Sequence, residues 1–176
     1  MPKRSAALLL YRLTDEAGLE LLIAHMGGPF WANKEARGWS IPKGEYEDGE
    51  DSLDAALREF HEEMGSPAPR GEMTALGECR QPSGKIITTY AIEGDFDLAQ
   101  FRSNTFEMEW PKGSGKVQEF PEVDRAAWVP FDRAGELLLK GHVPIITALR
   151  DRLVTQGVRV DVIAGPATED ARDALF

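Results

Sequence analysis

The segment 44–65 constrains the fold of this chain most strongly. Over 51–64, apolar residues recur at the spacing of an α-helix with one buried side, and they are Leu53, Ala56, Leu57, Phe60 and Met64. Asp51 is a suitable N-cap for this helix. Gly65 suits the position just past the helix end, and Pro67 prevents the helix from resuming. The segment therefore predicts a helix over 51–64 with an apolar stripe.

The same predicted helix carries an unusual group of acids. Glu59, Glu62 and Glu63 stand at positions i, i+3 and i+4, where like charges repel one another. Three glutamates alone would more often mark a solvated helix face. At ~100° per residue they lie about 120° from the centre of the apolar stripe, so the helix can bury one side and present its acids to a cleft. A positive group is therefore expected among them.

The rest of the chain predicts an α+β fold. Two hairpins are indicated, one joining 5–13 to 19–25 and one joining 73–81 to 85–93. Other strands are predicted at 39–41, 104–110 and 126–129, loops at 26–37 and 111–121, and helices at 134–140 and 144–154. Together these elements predict a mixed, mostly antiparallel β-sheet between helices, which is an α/β/α sandwich.

Size and charge narrow the class of protein. A chain of 176 residues is long enough for one domain with a substantial core. We expect a single domain over 1–154 and a C-terminal tail over 155–176, either packed on the domain or frayed. The net charge of −10 argues against duplex DNA binding. It does not argue against a phosphorylated small molecule as the ligand, because a bound divalent cation reverses the local electrostatic field.

The cysteine content and hydropathy indicate the compartment. Cys79 is the only cysteine, which excludes a disulfide framework and a cysteine-rich zinc site. No stretch is long enough to span a membrane. These features predict a cytoplasmic protein, either a monomer or a homodimer.

The segment 44–65 resembles the Nudix box, G-x5-E-x7-R-E-U-x-E-E-x-G-U, in which U is a bulky apolar residue. The matching positions are Gly44, Glu50, Arg58, Glu59, Phe60, Glu62, Glu63 and Gly65. Only the last position differs, since Ser66 replaces an apolar residue, and this bears on local packing rather than on chemistry. The motif is long and rigidly spaced, and so a chance match is not expected.

The resemblance extends beyond the box. Residues 5–11, 39–45 and 122–129 resemble the first core strand of the family, the lead-in to its box and its late strand. Residues 27–31 and 103–106 together resemble a bacterial subgroup of predicted nucleotide pyrophosphohydrolases. The resemblance implies the Nudix fold and a hydrolase that acts on acid anhydrides.

The resemblance also implies a metal site for Mg²⁺, with Mn²⁺ possible. Its ligands would be the Gly44 carbonyl, Glu59 and Glu63, with Glu62 joining them directly or through water. Hard oxygen ligands suit these ions better than they suit zinc. Arg58 would hold the neighbouring carboxylates in place, and it can reach Glu62 one helical turn away.

Other site residues are expected outside the box. A further acid, as base or extra ligand, is expected from a later loop, and the candidates are Glu119 and Glu122 first, then Glu107 and Glu109. Phosphate contacts are predicted for Arg4, Lys43 and Lys85. Base stacking is predicted for Trp31, Phe30 and Trp110.

The expected substrate is a nucleoside diphosphate linked to another group, X. Nucleoside triphosphates and dinucleoside polyphosphates are favoured, while sugar nucleotides, ADP-ribose, capped RNA ends and diphosphoinositol phosphates stay open. The alternative is a catalytically silent Nudix-fold module that binds a nucleotide and regulates a partner. Such modules typically lose the box glutamates, and this chain keeps them. A purely structural acidic domain is the third possibility.

Overall fold

Two long antiparallel strands, β1 (Arg4–Thr14) and β2 (Gly18–Met26), form the centre of the fold in the computed structural model, which describes residues 1–163. Gly18 closes the turn between them at a φ of 66°, a conformation that glycine adopts without strain. Residues 5–11 of β1 are all buried, so this strand is covered on both faces. The predicted first hairpin is confirmed.

The main sheet has seven strands in the order β3-β2-β1-β6-β5, with β4 paired to β1 and β9 paired to β2. The remaining strands of this sheet are β3 (Trp39–Ser40), β4 (Lys43–Glu45), β5 (Thr74–Arg80), β6 (Ile86–Glu93) and β9 (Val123–Pro130). Strand β6 runs parallel to β1, and the other pairs are antiparallel. The sheet is therefore mixed, as predicted.

Helices cover both faces of this sheet. Helix α1 (Ser52–Met64) packs Phe60 and Met64 against Leu8 and Leu10 of β1. Helices α2 (Phe131–Leu137) and α3 (Val143–Thr155) cover the opposite face. Burial of a side chain such as Phe60 stabilises the fold by about 2 kcal/mol. The predicted α/β/α sandwich is confirmed.

A small separate hairpin differs from the sequence prediction. Strands β7 (Thr105–Glu109) and β8 (Val117–Pro121) form a two-stranded antiparallel sheet of their own. The prediction of a loop throughout 111–121 is wrong for 117–121. Most side chains of β8 are exposed, so the strand lacks the apolar alternation by which strands are recognised. Its backbone pairing with β7 defines it instead.

The helical boundaries in the last third also shift. Helix α2 begins at Phe131, directly after Pro130, which is three residues earlier than predicted. Short 3₁₀ turns occupy Leu98–Gln100 and Lys140–His142. None of the helices within residues 1–163 is both long enough and apolar enough to span a membrane.

The chain returns to the sheet after α3. The Leu19 amide donates to the Val160 carbonyl over 2.9 Å, and the Ile163 amide donates to the Asp15 carbonyl over 3.0 Å. Val160 is buried against the core. The predicted tail is therefore packed as far as residue 163. Its remainder, 164–176, lies outside the described residues, and the predicted domain boundary at 154 stays a prediction.

Candidate active site

Both ends of helix α1 are fixed by local interactions. The Asp51 carboxylate accepts hydrogen bonds from the Leu53 and Asp54 amides, over 3.0 and 3.1 Å. Gly65 ends the helix at a φ of 82°, and a side chain there would also overlap the backbone of Arg102. The cap and the glycine set where each glutamate of the helix points.

The three glutamates of α1 do not share one open face, which differs from the prediction. Two of them are buried and one is exposed. Glu59 and Glu63 are each only 7 % exposed. The Glu62 side chain is 42 % exposed and lies towards solvent. The difference arises because β4 packs directly over Glu59 and Glu63, an arrangement that helical spacing alone does not show.

Strand β4 contacts both buried carboxylates through its backbone. The Lys43 amide donates a hydrogen bond to Glu63 Oε2 over 3.2 Å. A methyl group at Gly44 would overlap the carboxylate of Glu59. Glycine at this position therefore allows the backbone to approach the carboxylate closely.

Arg58 supplies the positive charge that the acidic group requires. Its guanidinium contacts Glu59 at 2.7 Å, Glu50 at 3.1 Å and Glu62 at 3.6 Å. The contact with Glu59 is a short charge-assisted hydrogen bond. Arg58 thus offsets repulsion between the glutamates and fixes the orientation of Glu59.

A cleft of about 310 Å³ opens beside these residues. Several predicted site residues line it, namely Trp31, Lys43, Gly44, Glu63, Lys85 and Glu122. The aromatic ring of Phe106 also borders the cleft. The fold therefore brings an indole, two ammonium groups and three carboxyl groups, the third from Glu45, to one cavity, although they come from distant parts of the sequence.

The buried and half-buried carboxyl groups in and beside the cleft have raised pKa values, whereas the hydrogen bond from Lys85 lowers the pKa of the exposed Glu45. Burial raises the pKa of Glu63 to about 8, even though Lys43 acts in the opposite direction. Burial and the nearby charge of Glu62 raise the pKa of Glu59 and that of Glu122. Burial also lowers the pKa of Lys43. Such perturbed groups gathered in one cleft are typical of a functional site.

These groups suit a hard divalent cation. No three Asp, Glu, His or Cys side chains among residues 1–163 form a ready-made metal cage. Mg²⁺ does not need one, because it is commonly held by one or two carboxylates, water and substrate phosphates. The buried pair Glu59 and Glu63, whose charging is unfavourable in the protein alone, offers such carboxylates next to the Gly44 backbone.

Three predicted contacts lie elsewhere. The Arg4 guanidinium pairs with Glu78 at 2.8 Å and does not line the cleft. Glu119 is exposed on β8, opposite Glu107 of β7. The rings of Phe30 and Trp110 contact each other edge to face, with centroids 5.5 Å apart. The structure thus favours Glu122 over Glu119 as the later acid.

Sequence reasoning missed the residues that hold the loop carrying Trp31. The ring of His25 lies 2.8 Å from Asp124 Oδ1 and 2.6 Å from the Lys34 carbonyl. Arg37, at a φ of 62°, donates to the Gly135 and Leu138 carbonyls of the α2 region. Neither residue belongs to a motif, so no local signal could identify its role.

The roles of Glu119 and Glu122, the two acids that precede β9, can be distinguished experimentally. We expect Glu122→Gln to lower kcat by about 10²-fold or more, as for loss of a general base or of a ligand. Glu119→Gln should leave kcat within about twofold, because its side chain is exposed outside the cleft. Steady-state kinetics of the two variants tests this, and the reverse ranking would refute the assignment.

The acidic helix packed under a glycine-bearing strand in an α/β/α sandwich is the arrangement expected of the Nudix pyrophosphohydrolases, a class of hydrolases that cleave phosphoanhydrides. The profile of the NUDIX domain matches residues 1–150, and the chain belongs to the Nudix family. The predicted family, fold and enzyme class are thereby confirmed. No curated protein sequence matches the chain.

Solved structures share the fold at low sequence identity. The NUDIX domain of Shewanella oneidensis NrtR, complexed with ADP ribose, is 18 % identical with a TM-score of 0.57, over 87 % of this chain and 89 % of that one. A mutT/nudix family protein from Listeria innocua is 13 % identical with a TM-score of 0.60, over 89 % and 98 %. A C. elegans Ap4A hydrolase in a binary complex is 18 % identical with a TM-score of 0.53, over 87 % and 98 %.

Proposed function

We propose that this protein hydrolyses, with a divalent cation, a phosphoanhydride bond of a nucleoside diphosphate linked to X. Nucleoside triphosphates and dinucleoside polyphosphates are the favoured substrates. The observation that carries the proposal is the buried pair Glu59 and Glu63, which lies beside a cleft that also holds Lys43 and Glu122. Hydrolysis of an anhydride needs a positioned water and neutralised phosphoryl oxygens rather than covalent chemistry from the protein.

The residues of the cleft would have different roles in binding and in catalysis. Lys43 and Lys85 would bind phosphate oxygens, and the indole of Trp31 would stack on the base. Glu122 would take the proton from the attacking water, since its raised pKa brings it closer to that of a base at neutral pH. The products would be a nucleoside monophosphate and phosphorylated X.

The cation would be Mg²⁺ or Mn²⁺. Glu59, Glu63 and the Gly44 carbonyl would hold it, and Glu62 would contribute directly or through water. The bound ion would supply neutralisation of charge on the phosphoryl oxygens. Arg58, whose guanidinium already contacts Glu59 at 2.7 Å, would keep that carboxylate oriented.

Two structural neighbours agree with a nucleotide substrate. One is a domain complexed with ADP ribose and another is an Ap4A hydrolase. Both molecules contain a nucleoside diphosphate linked to a further group.

The acidic net charge of −10 supports a small-molecule partner rather than duplex DNA. With Cys79 as its only cysteine, we place the protein in the cytoplasm, as a monomer or homodimer.

A substrate panel in H₂¹⁸O tests the proposed function. The panel comprises nucleoside triphosphates, dinucleoside polyphosphates, ADP-ribose, sugar nucleotides, capped RNA and diphosphoinositol phosphates, each with Mg²⁺ and with chelator. We expect ¹⁸O in one phosphate-bearing product of at least one compound, only when Mg²⁺ is present. Tight binding of one compound without any turnover would instead identify a silent binding module.

A further inference from the structure

Four cationic residues lie at one end of the main sheet, and one of them, Arg4, is paired with Glu78. Strands β1 and β6 are parallel, and Arg4 of β1 is opposite Ile86 of β6. Strand β5 runs the other way, and its last residue, Arg80, is also opposite Ile86. Lys3 and Lys85 directly precede β1 and β6. The backbone register alone therefore places Lys3, Arg80 and Lys85 side by side.

These residues border a second cavity. It has a volume of about 530 Å³ and is lined by Lys3, Arg80 and Lys85 together with the turn residues Ser83 and Gly84. Lys85 also lines the candidate active site. The two cavities therefore have Lys85 in common and lie next to each other. We call the second one the basic cavity.

The basic cavity has an excess of positive charge although the chain carries a net charge of −10. Glu45 is the shared partner of Lys85, at 2.9 Å, and of Lys3, at 3.5 Å. Within residues 1–163, no carboxylate lies within ion-pair distance of Arg80. The three cations that line the cavity thus have one exposed carboxylate between them, and it pairs with only two of them, Lys3 and Lys85. Exposed ion pairs of this kind contribute little to stability, so an incoming anion can replace Glu45 at low cost.

Positive charge continues from the basic cavity into the active site. Lys43 lines the same cleft as Glu63 and Lys85, and the charges of both act on its ammonium group. Lys43 and Lys85 of the cleft and Lys3 and Arg80 of the basic cavity therefore form one series of cations, in which Lys85 belongs to both cavities. Such a series matches a chain of several phosphate groups, each of which carries charge and acceptor oxygens.

We propose that the basic cavity binds the phosphate groups of the substrate that lie beyond the scissile anhydride. The inference rests on the proposed function and deepens it, because it assigns the substrate class: X is itself phosphorylated, as in a longer polyphosphate chain. A neutral X, such as the terminal ribose of ADP-ribose, makes no use of Lys3 and Arg80.

The first test measures binding without catalysis. Inorganic tripolyphosphate is titrated by calorimetry into wild type, into the double variant Lys3→Gln, Arg80→Gln, and into the control Arg152→Gln, Arg159→Gln, which removes the same charge from exposed positions elsewhere. We expect about tenfold weaker binding in the first variant and at most about a twofold change in the control. Equal affinity of both double variants for tripolyphosphate, or no binding by wild type, would contradict the proposed phosphate site.

The second test asks whether the phosphate groups bound in the basic cavity belong to the substrate. For diadenosine tetraphosphate the first variant should raise KM about tenfold, whereas kcat/KM for ADP-ribose should stay within about twofold. Tripolyphosphate should inhibit competitively. Equal losses on both substrates, or non-competitive inhibition, would overturn the substrate assignment. A protein that turns over neither compound contradicts the proposed function, while the calorimetry still decides whether the cavity binds phosphate.

Discussion

Glu63→Gln is expected to lower kcat/KM by about 10³-fold. Glutamine keeps the size of the side chain and can still accept the hydrogen bond from the Lys43 amide. It cannot supply the negative charge that the proposed cation requires. A loss of this size corresponds to about 4 kcal/mol of transition-state stabilisation. Steady-state kinetics in Mg²⁺ measures it, and activity close to wild type would refute the ligand assignment of Glu63.

The same substitution should stabilise the metal-free protein at high pH. Burial raises the pKa of Glu63 from its ordinary value of 4.5 to about 8, so the folded protein binds this proton more tightly than the unfolded chain does. The resulting stability is fully present below about pH 4.5 and is lost as the pH rises through about 8. At pH 9 the variant should therefore be more stable than wild type by about 5 kcal/mol, with little difference at pH 4.5.

Urea unfolding in chelator at several pH values measures this divergence. The control is Glu107→Gln, the same chemical change at an exposed position of β7 outside the cleft. It should leave both activity and stability close to wild type. If Glu63→Gln destabilises the metal-free protein equally at all pH values, Glu63 is not a buried group that resists ionisation.

Gly44→Ala is expected to impair both the fold and the activity. The added methyl group would overlap the carboxylate of Glu59, which is 7 % exposed and held by Arg58. Either β4 or Glu59 must move, and overpacking of this kind costs about 1–3 kcal/mol. A displaced Glu59 should lower kcat by about 10²-fold, because catalytic groups tolerate little misplacement. Thermal unfolding and kinetics of the variant test both effects.

Gly135→Ala is the matched control for this substitution. Gly135 lies in α2, and a methyl group there has no heavy atom within 4 Å. Alanine also favours the helix over glycine by about 0.8–1.0 kcal/mol. The control should be slightly stabilised and fully active. Gly44→Ala behaving like Gly135→Ala would show that the approach of β4 to Glu59 is not needed.

The sequence predicted the elements whose signals are local. Helix α1 has its N-cap at Asp51 and ends at Gly65, as predicted. Of the predicted apolar stripe, Ala56, Phe60 and Met64 are buried, whereas Leu53 and Leu57 are only partly buried. The two main hairpins also follow from apolar runs separated by turn residues. Strand β8 could not be predicted in this way, because it is stabilised by pairing with β7 while most of its side chains stay exposed.

The candidate site was only partly predictable for the same reason. Helical spacing places Glu59, Glu62 and Glu63 near one another, but only the packing of β4 over α1 buries two of them and leaves Glu62 exposed. Glu119 and Glu122 are equivalent candidates in the sequence. The structure distinguishes them because Glu119 belongs to an exposed hairpin strand, whereas Glu122 lines the cleft.

The central claim is that the buried carboxyls of α1 bind a divalent cation. Calorimetric titration with Mn²⁺ at pH 7, in two buffers of different ionisation enthalpy, tests it most directly. A carboxyl with a pKa of about 8 is mostly protonated at that pH and must lose its proton to ligate a cation. Wild type should therefore release close to one proton from Glu63 for each ion that Glu63 ligates, and Glu63→Gln should release fewer protons and bind more weakly. Binding without proton release, or binding unchanged by the substitution, would contradict a cation site at the buried carboxyls of α1.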